Sequence, residues 1–294
     1  MSTDGLVVVD KAAGMTSHDV VARIRRLART RRVGHGGTLD PMATGVLIIG
    51  VGKATRLLTY VIGSGKGYAA TIRLGQSTIT DDAEGEVVAT TPAEQVTDGA
   101  IRDGLGALTG EIQQVPSAVS AIKVDGKRAY KRVREGEQVT LAARPVTISR
   151  LDLLAIRRPS PEVVDVDVEV VCSSGTYVRA IARDLGAGLG VGGHLTALRR
   201  TAVGGFMLAE ASTLEELEKV APDVVNLPLA DAARRFFAAR EATVDETKTL
   251  SHGGPLDRAG IDGPYAVFAP DGGLLAIVRE REGRARPEVV FVTE

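Results

Sequence analysis

From Leu6 to Asp10 the chain is almost continuously apolar and then breaks at Ala13-Gly14, a pattern that predicts a strand entering a turn. Ser17 is then placed to cap a helix whose apolar positions Val20, Val21, Ile24 and Leu27 share one face. Residues 34–45 are rich in Gly, Thr and Pro and read as a loop. The nearly unbroken apolar run Val46 to Val51 suits a buried strand. Lys53 to Ile62 fits a short helix, and Tyr68 to Leu74 alternates as a strand does. Asp81 to Gly85 is a polar turn, and roughly 94–108 is helical. Val164 to Cys172 alternates Val with Asp and Glu, the signature of a half-exposed strand. Thr176 to Leu185 is a helix opened by Ser173-Ser174-Gly175, and Leu214 to Val220 is another short one. Gln113 to Arg144 is basic without a clean period and reads as a projecting insertion. After Pro228 the pattern changes to short strands punctuated by Gly253-Gly254, Asp262-Gly263 and Asp271-Gly272-Gly273, which predicts a small β-rich module over 229–294. No internal repeat or low-complexity tract interrupts this order.

Composition narrows the class. The 294 residues suffice for one large domain or a large domain with a small one, and 44% hydrophobic with 25% charged residues is the balance of a soluble globular chain. No window approaches the roughly 18 apolar residues of a membrane span. The start, MSTDGLVVVDKAAG, lacks the basic stretch of a secretory signal. Cys172 is the single cysteine, so an intrachain disulfide and a zinc site of paired cysteines are excluded, and a reducing cytoplasm fits. The net charge of −1 hides an uneven distribution. Arg23, Arg25, Arg26, Arg29, Arg31 and Arg32 crowd one stretch; Lys123, Lys127, Arg128, Lys131, Arg132 and Arg134 crowd a second. Each is ordinarily a solvated face, but two on a neutral protein point towards a polyanion partner.

Asp40 lies in the Gly/Thr/Pro loop beside a buried strand. A carboxylate there can act as nucleophile or base, or can merely initiate an Asp-Pro turn. The stretch GVLIIGVGKA invites a phosphate-loop reading and fails it, because Leu47 and Ala54 stand where Gly and Ser/Thr are required. The four histidines lack i,i+4 metal spacing; His35 is of interest because it precedes Asp40 by five residues in the same loop. Tyr68 could stack on a nucleobase or sit in the core. Arg179, among apolar neighbours on a helix, is either buried with a carboxylate partner or snorkels to the surface.

Together these pieces resemble one family. Gly34-His35-Gly36-Gly37-Thr38-Leu39-Asp40-Pro41-Met42-Ala43-Thr44-Gly45-Val46-Leu47 is similar to the long signature of TruB-type pseudouridine synthases. Val9-Asp10-Lys11 with Gly14-Met15-Thr16-Ser17, Lys66-Gly67-Tyr68 with Arg73-Leu74-Gly75, and Gln114 to Ser117 with Ala121 to Lys123 and Gly126 to Tyr130 resemble further boxes in the family's order. So do Gly175 to Arg179 with Asp184-Leu185-Gly186, and Gly193-His194-Leu195 with Leu198 to Thr201. The resemblance spans most of residues 5–228.

It implies an α+β fold: a catalytic domain over 1–228 with a central mixed or antiparallel sheet flanked by helices, an RNA-gripping insertion over 113–145, and a PUA-like RNA-binding domain over 229–294. It implies a cytoplasmic isomerase acting on uridine 55 in the T-arm of tRNA by base flipping. The enzyme would use no cofactor, metal, membrane or protein partner and would be a monomer. The catalytic residues implied are Asp40, Tyr68 and Arg179, with Arg179 pairing Asp40 and holding its pKa down. His35 would border the space the base vacates, and Leu198 and Tyr177 would belong to the base pocket. Lys11 would be a support or a phosphate contact, and Lys123, Lys127 and Arg128 would clamp the RNA backbone. Two other readings stand beside it: a non-catalytic tRNA-binding or folding chaperone, and a guide-RNA-directed synthase.

Overall fold

The structure is a computed structural model that describes residues 4–117, 123–124, 127–128 and 141–292; for 123–124 and 127–128 it describes the backbone. In chain order the strands are β1 (Gly5–Lys11), β2 (Val33–His35), β3 (Thr44–Val51), β4 (Lys66–Leu74), β5 (Gln76–Thr78), β6 (Val87–Thr90), β7 (Gly110–Gln114), β8 (Lys123–Val124), β9 (Lys127–Arg128), β10 (Arg144–Ser160) and β11 (Val163–Cys172). They continue with β12 (Gly193–Val203), β13 (Phe206–Met207), β14 (Leu227–Pro228), β15 (Ala239–Glu241), β16 (Leu256–Asp257), β17 (Pro264–Phe268), β18 (Leu274–Arg281) and β19 (Arg284–Val290). The helices are α1 (Ser17–Leu27), α2 (Leu58–Gly63), α3 (Asp98–Ala107), α4 (Val178–Gly188), α5 (Leu214–Lys219), α6 (Leu229–Phe236) and α7 (Val244–Ser251).

One large sheet runs β14-β1-β3-β12-β4-β11-β10-β7, with β2 added to β3 and β13 to β12. Its pairings are antiparallel except β3 with β12, which is parallel, so the sheet is mixed and the α+β class holds. The apolar runs in β1 and β3 have a physical cause: both faces of these strands are covered. Val7, Val9, Leu47 and Ile49 enter the core under α1, while Leu6, Val8, Val46 and Ile48 enter a second core on the opposite face. β11 alternates because one face enters the core and the other carries ion pairs. Val164, Val166, Val168 and Val170 are buried, and Asp165 and Asp167 pair with Arg73 and Arg157 on the other side.

That second core is shared with the C-terminal region. Ala232 and Ala233 of α6, Phe237, Phe268, Leu274, Ile277 and Phe291 pack with Leu6, Val46, Ile48, Leu57 and Val61. β14 pairs with β1 immediately before α6, so the change of pattern at Pro228 falls inside a continuous packed layer. The following sheet, β15-β17-β18-β19-β16, encloses a core of its own around Leu250, Tyr265, Val267 and Val278.

Several boundaries differ from the sequence expectations. Thr16, not Ser17, caps α1: its hydroxyl accepts from Asp19 N and the Asp19 carboxylate accepts from Thr16 N, a closed capping box. The helix expected over Lys53 to Ile62 is a 3₁₀ turn, Gly52–Leu57, followed by α2. The helix expected to open at Thr176 begins at Val178, with Tyr177 in the cap position, which puts Arg179 in its first turn. The insertion leaves and re-enters through the ladder pairing Gln114 with Arg144 and Gln113 with Pro145. Lys123, Lys127 and Arg128 fall on the short β8–β9 pair, and their side chains lie outside the described residues.

Candidate active site

The loop between β2 and β3 is held from three sides. Ser17, buried on α1, accepts from Leu39 N at 2.8 Å and donates to Leu39 O at 3.1 Å. Pro41 O accepts from Gly14 N at 2.9 Å and from Lys11 Nζ at 3.2 Å. Arg200, reaching from β12, donates to Val46 O at 2.6 Å, Gly37 O at 3.2 Å and Thr38 O at 3.3 Å. Between these clamps stands Asp40, whose backbone carbonyl accepts from Ala43 N at 3.1 Å and closes a tight turn. Rigid support of this kind fixes a side chain before any ligand arrives.

Asp40 faces a cavity of about 340 Å³ lined also by Lys66 and Tyr68 of β4, Tyr177 and Arg179 at the start of α4, and Leu198 and Arg200 of β12. The open question about Arg179 is answered by geometry. The side chain is buried, and its Nε lies 3.0 Å from Asp40 Oδ2 and its Nη2 3.4 Å from Oδ1, a two-pronged pair. Its remaining nitrogen, Nη1, donates to Thr80 O at 2.9 Å and lies 3.4 Å from Asp82 Oδ2. Asp82 is itself buried and accepts from Thr80 Oγ1 and Glu84 N. One guanidinium therefore ties the loop carboxylate to a second acidic residue, in a segment that the sequence showed only as a polar turn.

The charge state of Asp40 departs from the expectation that Arg179 holds its pKa down. Loss of water around the carboxylate raises the pKa, Asp82 adds to the rise, and Arg179 opposes it without cancelling it. Tyr68 is pushed up by enclosure, with Arg200 pulling the other way. Burial lowers the pKa of Arg200.

Lys11 is corrected. It is 0% exposed, and its ammonium donates to Ala12 O, Met15 O and Pro41 O, so all three donors hold the turn before α1 and none is left for a phosphate. His35 pairs on β2 with Ile49 and sets its ring edge-on to exposed His18, centroids 5.3 Å apart, outside the cavity lining. Burial and His18 lower its pKa. Leu198 and Tyr177 both line the cavity; Tyr177 is further fixed by Gln114, which accepts from its N–H at 2.9 Å and donates to its carbonyl at 3.2 Å. The insertion's root is thereby fastened to the cavity wall.

Sequence reasoning did not assign Ser17, Lys66, Asp82 or Arg200 to the site. Arg199 and Arg200 look alike in sequence, yet strand alternation sends Arg199 to Asp10 and Arg200 into the interior. Among the described residues no group of three or more His, Cys, Asp or Glu could hold a metal ion, and no helix is long and apolar enough to cross a membrane.

Comparison with known proteins shows the family. Residues 25–178 match the model of the TruB family pseudouridylate synthase N-terminal domain, 179–227 that of the tRNA pseudouridylate synthase B C-terminal domain, and 237–292 that of tRNA pseudouridine synthase II, C-terminal. The tRNA pseudouridine synthase B of Arthrobacter sp. (strain FB24) is 59% identical over 297 residues, covering 98% of this chain and 96% of the relative. That of Thermobifida fusca (strain YX) is 56% identical, covering 98% of each. Among solved structures, a chain of a Cbf5-Nop10-Gar1 complex superposes with a TM-score of 0.73 at 25% identity, covering 98% of this chain and 85% of the other.

Proposed function

The chain belongs to the TruB family of pseudouridine synthases, and on that premise we propose that it converts uridine 55 in the T-arm of tRNA to pseudouridine, with Asp40 as the catalytic carboxylate. The observation that carries this reading is the Asp40–Arg179 pair at 3.0 Å, set in a cavity walled by Tyr68 and Leu198. A carboxylate held in a rigid loop, open to the cavity and fixed by a fork of donors, is poised to attack or to remove a proton. A base inside a folded loop cannot reach it, so the nucleotide must leave its stack at a cost of a few kcal/mol and enter the cavity.

Within it, Tyr68 stacks on the uracil, Leu198 and Tyr177 pack around it, and the C1′–N1 bond gives way to C1′–C5. His35 and His18 lie beside the loop and meet the RNA around the vacated position. The exposed arginines of α1 and the loop after it, with Lys123, Lys127 and Arg128, bind backbone phosphates without reading sequence. The C-terminal sheet, docked through the shared core, extends the RNA-binding surface. No guide RNA, partner protein, metal or cofactor is required, and the active species is a monomer.

The test is incubation of the purified chain with an unmodified T-arm stem-loop, alone in buffer, with pseudouridine mapped by position. Wild type should convert uridine 55, and Asp40→Asn should bind the stem-loop and convert none. Equal turnover by Asp40→Asn would remove Asp40 from the chemistry; binding without conversion by wild type would favour the chaperone reading. Truncating Lys127 and Arg128 should flatten the dependence of log affinity on log salt.

A further inference from the structure

Lys66 is a charged residue of the cavity lining that the reading above leaves without a task. It lies two positions before Tyr68 on β4, so both side chains project to the same side of the sheet, and both line the cavity. Its exposure is 9%, so little of the residue faces open solvent. The ammonium donates to Ile62 O and Ser64 O, both at 2.6 Å, at the C-terminal end of α2. An ammonium has three donors, and the third has no protein acceptor among the described residues.

A lysine that only capped α2 could stand in water, as capping cations ordinarily do. This one is drawn in beside Arg200, and burial together with that neighbouring charge lowers its pKa to about 8. The other group facing it is the Cys172 thiol on β11, which burial keeps protonated. The cavity lining thus carries Lys66, Arg179 and Arg200 against the single carboxylate of Asp40. Arg179 is matched by Asp40 and Asp82, and Arg200 is committed to three loop and strand carbonyls. Lys66 is left with a charge and a donor to offer.

The proposed reaction supplies the matching group. When C1′–N1 breaks, its electron pair stays with the uracil, and the charge spreads over N1, O2 and O4. The ring then turns, C5 supplies the electrons of the new bond to C1′, the C5 proton is lost to a base, and N1 takes up a proton from water, so that no net proton is gained or lost. We propose that Lys66 is a further catalytic residue, donating its third N–H to a carbonyl oxygen of the inserted uracil and stabilising the negative charge of the ring while it is detached. Backbone phosphates remain at the cavity mouth with the rest of the RNA, so the acceptor that reaches a buried ammonium is the base. Donors already aimed at the place where charge develops are worth more than the same groups in water.

This inference rests on the reading of the site as a uridine isomerase, and the experiment separates the two. Wild type, Lys66→Met and Lys66→Arg are compared under saturating T-arm stem-loop between pH 6 and 10, with RNA affinity and melting temperature measured alongside. Lys66→Met should lower kcat on the order of 100-fold while RNA affinity changes by less than about threefold, and Lys66→Arg should recover part of the rate. In wild type kcat should fall as pH rises through about 8, and this limb should be absent from Lys66→Met. Replacing uracil O4 or O2 by sulfur, a weaker acceptor, should slow wild type at one of the two positions and leave Lys66→Met unaffected there.

A Lys66→Met enzyme with the wild-type kcat, or with the same alkaline limb, would overturn the proposal. So would an equal loss in both variants that tracks their melting temperatures, since Lys66 would then only prop α2. Wild type that converts uridine 55 with no alkaline limb would overturn the role of Lys66 alone. Wild type that leaves the uridine untouched would overturn the functional reading and this proposal with it.

Discussion

Arg200 of β12 stands opposite Tyr68 of β4 in the ladder, and the same arginine, 1% exposed, holds the carbonyls of Gly37 and Thr38 beside Asp40. One buried cation thus sets the distance between the aromatic wall and the carboxylate loop. Replacing Arg200 with Met leaves three carbonyls without their donors, that of Val46 in a fully buried residue, and should cost about 2 kcal/mol, because an unsatisfied buried polar group is expensive. Urea unfolding midpoints would show it. Arg200→Lys keeps the charge but not the planar fork and should recover less than half of the loss.

The pKa of Asp40 lies above the ordinary carboxylate value because of burial, with Arg179 opposing the rise. If the ionised form is the active one, kcat falls as pH drops through that raised value. Removing the opposing cation with Arg179→Met should move the acid limb to still higher pH. A pH–rate profile of both proteins on the T-arm stem-loop checks the direction.

The same shift predicts a stability effect of opposite appearance. Because folding raises the pKa of Asp40, the folded chain binds its proton more readily than the unfolded chain, and the ionised carboxylate counts against folding as pH rises through this window. Asp40→Asn should therefore melt at the same or a higher temperature than wild type at neutral pH, while losing turnover. Arg179 keeps Thr80 O and Asp82 as partners in that variant.

Glu280 of β18 accepts from the backbone N–H groups of Ala259 and Gly260 at 2.7 and 2.8 Å and from Arg258 at 2.9 Å, and its pKa is lowered to about 2. A depressed folded-state value stabilises the protein above the ordinary glutamate pKa of 4.5 and loses that contribution as pH falls towards 2. Glu280→Gln should lower the melting temperature at pH 7, and the difference from wild type should shrink as the pH is taken down through this range. Calorimetry at stepped pH would test it.

Gly45 has a φ of +96°, and a Cβ placed there would lie 2.2 Å from Arg200 O, where β3 and β12 run parallel. The clash is with backbone and has no flexible side chain to absorb it. Gly45→Ala should cost several kcal/mol and abolish turnover as well, since β12 would carry Arg200 away from the Asp40 loop. Soluble yield and urea midpoint read the first effect, and conversion of the stem-loop the second.

Much of this fold was legible in the order of residues because its signals are local. The doubly covered strands β1 and β3 announced themselves as unbroken apolar runs, β11 as an alternation, and the loop around Asp40 as a cluster of Gly, Thr and Pro. The caps were less legible: Thr16 and Ser17 are both good capping residues, and only the packing of α1 sends Ser17 inward to hold Leu39. The break at Pro228 marked a change of pattern. It did not show that Phe237, Phe268 and Phe291 would close over Val46 and Ile48, because contact between segments so far apart in the chain leaves no trace in local periodicity.

Asp40 itself was open to two readings as a loop residue, and the ordered boxes around it named the family before any geometry was known. Its surroundings were decided by tertiary structure. Arg179 becomes a partner because the first turn of α4 is delivered beside the β2–β3 loop, and Asp82 joins it from a segment that read only as a polar turn. Lys11, which resemblance offered either as support or to a phosphate, is turned inward by three carbonyls, whereas Lys66 comes to the cavity with a donor to spare. The sequence by itself determined which chemical groups are present and, boundaries aside, where most of the strands and helices fall. Which of the lysines and arginines are spent on backbone carbonyls, and which still face the cavity, was set only by tertiary packing, because a charged group's task depends on the acceptors that distant segments bring to it.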